Sequence, residues 1–261
     1  MTARVCILGP SGRMGRALID AAAGRSDVVV TAAVDRLDAG GLGTMVTDGV
    51  LASADLAAGL NAADVYIDFT SPAATRTVAE TAYAHKRPAV IGTTGLTAAD
   101  DAAVAKLATV APIVVAANFS LGVNLLLGLV QQAARALGSE WDAEIVEIHH
   151  RAKRDAPSGT ALMIAHAIAA GHGSNYDEVK RHSRDGDVGA RPRGEIGVSA
   201  VRGGDVIGEH TATFFGAAER IEIGHRATSR VIFAAGALRA AAWVVGKPPG
   251  RYDMLDVLGL K

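Results

Sequence analysis

The chain of 261 residues contains one cysteine. An internal disulfide is excluded, and Cys6, within the apolar run Val5-Cys6-Ile7-Leu8, reads as a small core residue in a reducing compartment. No excess of charge is present: 26 Lys plus Arg face 27 Asp plus Glu, a net charge of -1. No global field draws the protein to a phosphate backbone, so nucleic acid is not an expected partner. Every apolar run is shorter than the roughly 20 residues of a membrane-spanning helix, or is broken by Gly and charge. The opening Met1-Thr2-Ala3-Arg4 leads straight into a strand-like run, without a charged region, apolar stretch and small-residue cleavage site, so a cytoplasmic location is expected. No cysteine cluster or i, i+4 histidine pair suggests a metal, and none is expected. There is no internal repeat or low-complexity tract.

What remains is the composition of a globular protein: 49% hydrophobic and 20% charged residues, with only 4% aromatics. The excess of Ala, Val and Gly suits closely packed strands and helices. From Arg4 to about Ser120, β-rich runs at Arg4 to Leu8, Val28 to Asp35, Val65 to Phe69, Ala89 to Gly92 and Ile113 to Ala117 alternate with helical stretches. The helices are predicted at Met14 to Ala23, Ala73 to His85 and Ala98 to Ala108. This alternation predicts a Rossmann-like, doubly wound parallel sheet covered on both faces.

The pattern then changes to α+β. An apolar helix at Val123 to Leu137 precedes a strand at Ala143 to Ile148 and a helix at Gly159 to Ala170. Gly171 to Arg193 lacks an apolar period and reads as a long polar excursion. Runs at Glu195 to Arg202, Val206 to Phe215 and Arg220 to Ala227 read as an antiparallel meander. The last helix, about Ser229 to Val245, is apolar around much of its surface and is expected to pack back onto the first domain.

Three groups of residues carry chemistry. Gly9, Pro10, Ser11, Gly12, Arg13, Met14 and Gly15 lie between the first strand and the first helix, where a pyrophosphate meets a helix N-terminus. Ser11 departs from G-x-G-x-x-G, yet Asp35 ends the second strand about 20 residues on, placed to accept from a ribose 2′-hydroxyl. Arg36 could pair with a 2′-phosphate, so the pair argues for use of both NADH and NADPH; an exposed surface charge is the alternative for Arg36. Second, the turns Gly92-Thr93-Thr94-Gly95 and Ala117-Asn118-Phe119-Ser120 should lie at the same carboxyl edge of the sheet. Third, the segment Glu147 to Thr160 concentrates His149, His150, Arg151, Lys153 and Arg154 before Pro157-Ser158-Gly159-Thr160, which has helix-initiating chemistry. Free amides, a helix dipole and cations there suit a carboxylate ligand, and a histidine suits proton exchange near neutral pH.

With that segment the sequence resembles the 4-hydroxy-tetrahydrodipicolinate reductase family. The signature-like stretch runs from His149 to Ala161. The supporting blocks are Gly12-Arg13-Met14-Gly15, Asp68-Phe69-Thr70, Gly92 to Gly95, Asn118-Phe119-Ser120, Arg202 to Thr211, His225-Arg226-Ala227 and Ser229-Arg230. Together they cover roughly residues 4 to 245. The resemblance implies a dinucleotide-binding domain of residues 1–120 with 230–261, and a substrate-binding and oligomerisation domain of residues 121–229 with an open mixed sheet that builds a homotetramer. It implies NAD(P)H-dependent reduction of a small cyclic dicarboxylate in lysine and diaminopimelate biosynthesis. His149 becomes a proton donor or acceptor and Lys153 a proton donor, while His150, Gly159 and Thr160 bind substrate. Gly9 to Met14, Asp35, Arg36, Gly92, Thr93, Thr94, Ala117, Asn118, Phe119 and Ser120 bind the cofactor. Ala152 and Ala217-Ala218 depart from the family's usual residues, which bears on loop conformation more than on reaction class. The competing readings are a reductase of another cyclic imine and a non-catalytic NAD(P)-binding regulator.

Overall fold

Buried on both faces, the first strands are continuously apolar. In the computed structural model, which describes residues 2–261, β1 (Ala3–Leu8) turns Val5 and Ile7 toward one helical layer and Cys6 and Leu8 toward the other. It is followed by α1 (Arg13–Ala22), β2 (Val28–Val34), β3 (Met45–Thr47), β4 (Val50–Ser53), α2 (Leu56–Asn61), β5 (Val65–Asp68), α3 (Pro72–His85), β6 (Ala89–Ile91), α4 (Ala98–Ala108) and β7 (Pro112–Val115). The helices start where the sequence supplies an acceptor: Asp55, Ser71 and Thr97 cap α2, α3 and α4 through their side chains.

The chain divides into two compact units, one running to Leu121 and resuming at Val231–Lys261, the other formed by Gly122–Arg230. In the second unit α5 (Leu121–Leu137) leads to β8 (Asp142–His149), α6 (Gly159–His172), α7 (Tyr176–Val179), β9 (Lys180–Arg181), β10 (Ile196–Arg202), β11 (Gly208–Phe215) and β12 (Arg220–Ala227). The chain then returns to the first unit as α8 (Val231–Val244), β13 (Gly250–Tyr252) and α9 (Met254–Leu258).

The first unit carries an eight-stranded sheet in the order β13-β7-β6-β5-β1-β2-β4-β3. All pairs are parallel except β3 with β4. The order reverses between β1 and β5, which makes their carboxyl ends the place where such sheets bind ligands. On one face Leu18 of α1 and Ala234, Ala237, Leu238 and Ala241 of α8 close a core over Val5, Ile7, Val65 and Ile67. On the other, Leu60 of α2, Val78 and Ala79 of α3 and Val104 and Leu107 of α4 cover Cys6, Tyr66 and Ile91. The last long helix thus completes the first unit, as its all-round apolar surface demands.

The second unit carries a five-stranded sheet in the order β12-β11-β8-β10-β9. Leu126, Leu127 and Val130 of α5 and Ile164, Ala165 and Ile168 of α6 pack with Ile145, Val198, Ala212 and Phe214 of the sheet. Two expectations need correction here. The three runs after Glu195 do not form a meander: only β11 and β12 form an antiparallel hairpin, whereas β10 is parallel to β8 and lies on its other side. The segment between β10 and β11 crosses the end of β8, held by bonds from the Gly203 amide to the His149 carbonyl, from the His150 amide to Val206 and from the Arg151 amide to Gly204. Alternating apolar residues state that a run is a strand, but not which strand it joins.

Nor is the stretch Gly171 to Arg193 irregular throughout, since the end of α6, α7 and β9 occupy part of it. The remainder is held by ion pairs instead of apolar burial. Arg184 bonds Glu144 and Glu195, and Arg191 bonds Asp142 at 2.5 Å and Glu144 at 3.0 Å. The short elements β3, β4, α2, β13 and α9 carry too few periodic residues to be read from the sequence.

Gly236 of α8 lies against the backbone of Phe119, where a Cβ would stand 1.7 Å from the Phe119 carbonyl oxygen. Alanine would gain up to about 1 kcal/mol of helix propensity, while overpacking costs about 1–3 kcal/mol or more. At a contact this close the second effect wins. Gly236→Ala should therefore lower stability by about 2 kcal/mol, read as a lower urea midpoint with an unchanged slope.

Candidate active site

In the first unit the turn after β1 is built by glycine. Gly9 adopts φ +65°, and its amide donates to the Val34 carbonyl at 2.8 Å. Gly15 must lack a side chain, because a Cβ there would stand 2.1 Å from the Gly9 oxygen. Gly12 caps α1 without any side-chain hydrogen bond. The first amides of the helix are therefore unclaimed by a cap and point to an external acceptor.

Asp35, just beyond β2, accepts from the Ser11 hydroxyl at 2.5 Å and its amide at 3.2 Å, and from the Arg36 amide at 2.9 Å. The Arg36 guanidinium is 78% exposed and lies 3.0 Å from Asp38. A cavity of about 670 Å³ opens beside these groups, lined by the glycine turn, Asp35, Arg36, Phe69, Thr70 and Ser71 among others. Its wall of glycine backbone, a helix start and one acidic side chain fits a dinucleotide's pyrophosphate and ribose.

The turns after β6 and β7 do not line that cavity, but they are tied to the same edge. Fully buried Asp68 accepts from the Thr70 amide at 2.8 Å, the Thr70 hydroxyl at 2.6 Å and the Thr93 hydroxyl at 3.3 Å. Phe69 stacks edge-on against Phe119 at 5.3 Å and covers Gly92, where a Cβ would stand 2.1 Å from its ring. Asn118 accepts from the Ser120 amide at 2.8 Å and fixes the second turn, while Thr94 and Ala117 are exposed.

In the second unit the chemistry gathers at the end of β8 and the start of α6. His149 and Glu147 project to the same face of β8, and His149 Nδ1 lies 2.5 Å from a Glu147 oxygen. Glu147 is fully buried. It accepts two bonds from Arg202, at 2.7 and 2.8 Å, and one from the Ser158 amide at 3.0 Å. Burial alone would push its pKa up, but Arg202, His149 and the Ser158 amide outweigh this and hold it below the usual carboxylate range. His149 is lowered: burial favours its neutral form, Glu147 opposes this, and Lys153 and Arg202 add to the lowering.

The Ser158 hydroxyl caps α6 by accepting from the Ala161 amide at 3.2 Å, and contacts His210 Nε2 at 3.1 Å. Gly159 and Thr160 form the first turn of α6, whose positive dipole end suits an anion. Lys153, 20% exposed, pairs with Asp155 at 2.9 Å and holds its carboxyl below the ordinary value. His150 is half-buried on the same loop, whereas Arg151 and Arg154 are exposed.

The structure thus brings Gly9 to Met14 together with Asp35 and Arg36 in the first unit, and His149, His150, Lys153, Gly159 and Thr160 together in the second. In the sequence, the blocks Asp68-Phe69-Thr70 and Arg202 to Thr211 count only toward the resemblance, and Glu147 only as the opening of a charged stretch. No site role attaches there to Glu147, Arg202, Gly208 and His210 around His149, nor to Asp68, Phe69 and Thr70 at the carboxyl edge of the first sheet. A signal existed for Glu147: an acid two residues before His149, on the face where Ala143 and Ile145 are core.

A doubly wound nucleotide sheet joined to an α+β unit with a histidine-lysine cluster defines a dinucleotide-dependent oxidoreductase. Residues 3–119 match the model for the dihydrodipicolinate reductase N-terminus, and residues 122–258 match that for its C-terminus. A 4-hydroxy-tetrahydrodipicolinate reductase of Alkalilimnicola ehrlichii is 49% identical, covering 100% of both chains, and one of Caulobacter vibrioides is 48% identical, covering 99% of this chain and 98% of its own. The solved dipicolinate-bound dihydrodipicolinate reductase from Paenisporosarcina sp. TG-14 superposes with a TM-score of 0.82 at 27% identity, covering 98% of this chain and 99% of its own. The chain belongs to the dihydrodipicolinate reductase family.

His210 is 4% exposed, and burial, reinforced by neighbouring His149, pushes its pKa from 6.5 down to about 4. The folded state therefore prefers neutral His210. The associated stability is complete above pH 6.5 and is lost as pH falls through 4, at most roughly 3 kcal/mol. Urea unfolding of the wild type should weaken across that window more than that of His210→Asn. Parallel pH dependences would show that His210 does not contribute.

Proposed function

We propose that this chain reduces 4-hydroxy-tetrahydrodipicolinate to tetrahydrodipicolinate with NADH or NADPH, a step of lysine and diaminopimelate biosynthesis. The observation that carries the reading is the cluster of His149, His150 and Lys153 at the N-terminus of α6, in a chain matched over its whole length by reductases of this name. Dipicolinate, bound in the related solved reductase, is a ring with two carboxylates. The α6 terminus, His150, Lys153, Gly159 and Thr160 offer such a molecule donors and positive charge in one place.

Bound at the carboxyl edge of the first sheet, a reduced nicotinamide supplies a hydride. Gly9, Pro10, Ser11 and Gly12 shape the turn that receives the phosphates, the Arg13 and Met14 amides at the start of α1 donate to them, and Asp35 accepts from the adenosine ribose. Gly92, Thr93, Thr94, Ala117, Asn118, Phe119 and Ser120 position the other end of the dinucleotide. The 4-hydroxyl leaves as water, which gives the unsaturated ring; hydride adds to a carbon of that ring, and Lys153 and His149 manage the proton that the ring then takes up. A cationic Lys153 also holds a carboxylate, so release from Asp155 accompanies substrate binding. No metal is needed for these steps.

The domain roles follow the same reading: residues 1–120 with 230–261 bind the dinucleotide, and residues 121–229 bind substrate and self-associate. The sheet face of the second unit that is turned away from α5 and α6 exposes Val146, Val201 and Phe215, which supports assembly into a homotetramer. A cytoplasmic setting accords with the one cysteine, fully buried Cys6, whose thiol burial pushes up to about 12. Among the described residues, no helix is long and apolar enough to cross a membrane.

The test is coupled turnover with dihydrodipicolinate synthase, pyruvate and aspartate semialdehyde, following oxidation of NADH and NADPH in parallel. Synthase-dependent oxidation is expected; its absence, with both dinucleotides still bound, would refute the reading. Lys153→Ala and His149→Ala should each lower kcat at least 100-fold while leaving dinucleotide affinity nearly unchanged. Wild-type rates would remove that residue from the mechanism. Arg36→Ala should weaken NADPH more than NADH, and an equal loss of both would defeat the 2′-phosphate role of Arg36.

A further inference from the structure

Glu147 occupies a position at which β8 otherwise presents core residues, for Ala143, Ile145, Glu147 and His149 all face α6 and are buried. A carboxylate there is costly unless every lone pair finds a donor. Four donors converge on it: Arg202 Nη2 and the Ser158 amide on Oε1, and Arg202 Nη1 and His149 Nδ1 on Oε2. An ionised carboxylate only accepts, so His149 must carry its hydrogen on Nδ1, in the neutral ring as in the charged one. That is the less populated tautomer of a free neutral histidine. It leaves Nε2 as the nitrogen with a free lone pair.

Nε2 in turn needs room. A Cβ on residue 208 would stand 2.9 Å from it, so Gly208 keeps this nitrogen open. The His210 ring packs edge-on against His149 at 5.1 Å and limits its rotation. Arg202 also donates to the Asp155 carbonyl at 2.7 Å, which ties the loop bearing Lys153 to the same carboxylate.

We propose that Glu147 is a positioning residue for the reaction: held by Arg202 and the Ser158 amide, it fixes His149 in the Nδ1–H form so that Nε2 faces the reacting ring. The inference rests on the assignment of His149 to proton transfer. The carboxamide of Glu147→Gln offers one oxygen to Arg202 and Ser158 and turns its NH₂ toward His149. Nδ1 must then accept, and the hydrogen moves to Nε2. The charged groups that face His149 are Glu147, Arg202 and Lys153, with His210 beside its ring and Asp155 beyond Lys153. Glu147 alone among the groups that shift His149 favours its charged form, so removing its charge moves the titration of His149 to lower pH.

Long-range ¹⁵N–¹H correlation spectra of the ¹⁵N-labelled full chain read the tautomer without substrate, with the His149 signal assigned by its loss in His149→Asn. The wild type should show His149 as Nδ1–H and Glu147→Gln as Nε2–H. In coupled turnover the same variant should lose tenfold or more in kcat, with its pH profile displaced downward and dinucleotide affinity retained. A wild-type Nε2–H form overturns the proposal, and so does either an unmoved tautomer or an unmoved kcat in the folded variant. If Glu147→Gln does not fold, the wild-type spectrum and Gly208→Ala decide, the latter expected to lose kcat about tenfold through its methyl group against Nε2. Wild-type protein inactive on the synthase product would refute the functional reading, and the tautomer measurement would then decide the Glu147 contact by itself.

Discussion

A buried carboxylate with four hydrogen-bond donors holds the second unit's site together. Glu147 sits in the core face of β8, and no water is needed to satisfy it because Arg202 from β10, Ser158 at the start of α6 and His149 from β8 itself all reach it. Removing any one partner would leave a buried charge poorly compensated, a cost of several kcal/mol in typical proteins. Strand, helix and loop are therefore fixed relative to one another by electrostatics where apolar packing ends. The core beneath, from Ile145 to Phe214, sets the sheet; the carboxylate sets the side chains at its edge.

The first unit solves a related problem differently. Its carboxyl edge must expose backbone amides to an anionic ligand, and the amides are kept open by residues that lack side chains. Gly9 turns at positive φ, and Gly15 admits the Gly9 carbonyl where any Cβ would collide. Acidic side chains then organise the surrounding turns: Asp35 holds Ser11, and Asp68 holds Thr70 and Thr93. In both units a carboxylate collects donors from segments far apart in sequence. In the first it shapes turns around a cavity, and in the second it orients an imidazole.

Arg184 and Arg191 do for the excursion after α6 what Arg202 does for the loop that bears Lys153. They tie an otherwise polar stretch to Asp142, Glu144 and Glu195 at the end of the sheet. A chain segment held this way has no apolar period, so it resembles disorder in composition while being anchored in space.

Much of the fold was legible in the chain itself. The apolar runs around Cys6, Ile67, Val90 and Val114 announced buried parallel strands, because a strand covered on both faces has no polar side. The glycines before α1, Asp35 after β2 and the His149 to Thr160 segment announced a site, since each is local chemistry carried by adjacent residues. What sequence alone could not supply were partnerships across long separations. That β10 joins β8 and not β11, that Arg202 reaches Glu147 from 55 residues away, and that Gly208 clears space beside His149 depend on three-dimensional proximity. Periodicity encodes which face of an element is buried, a property of each segment alone; the identity of what buries it is a property of the packed whole.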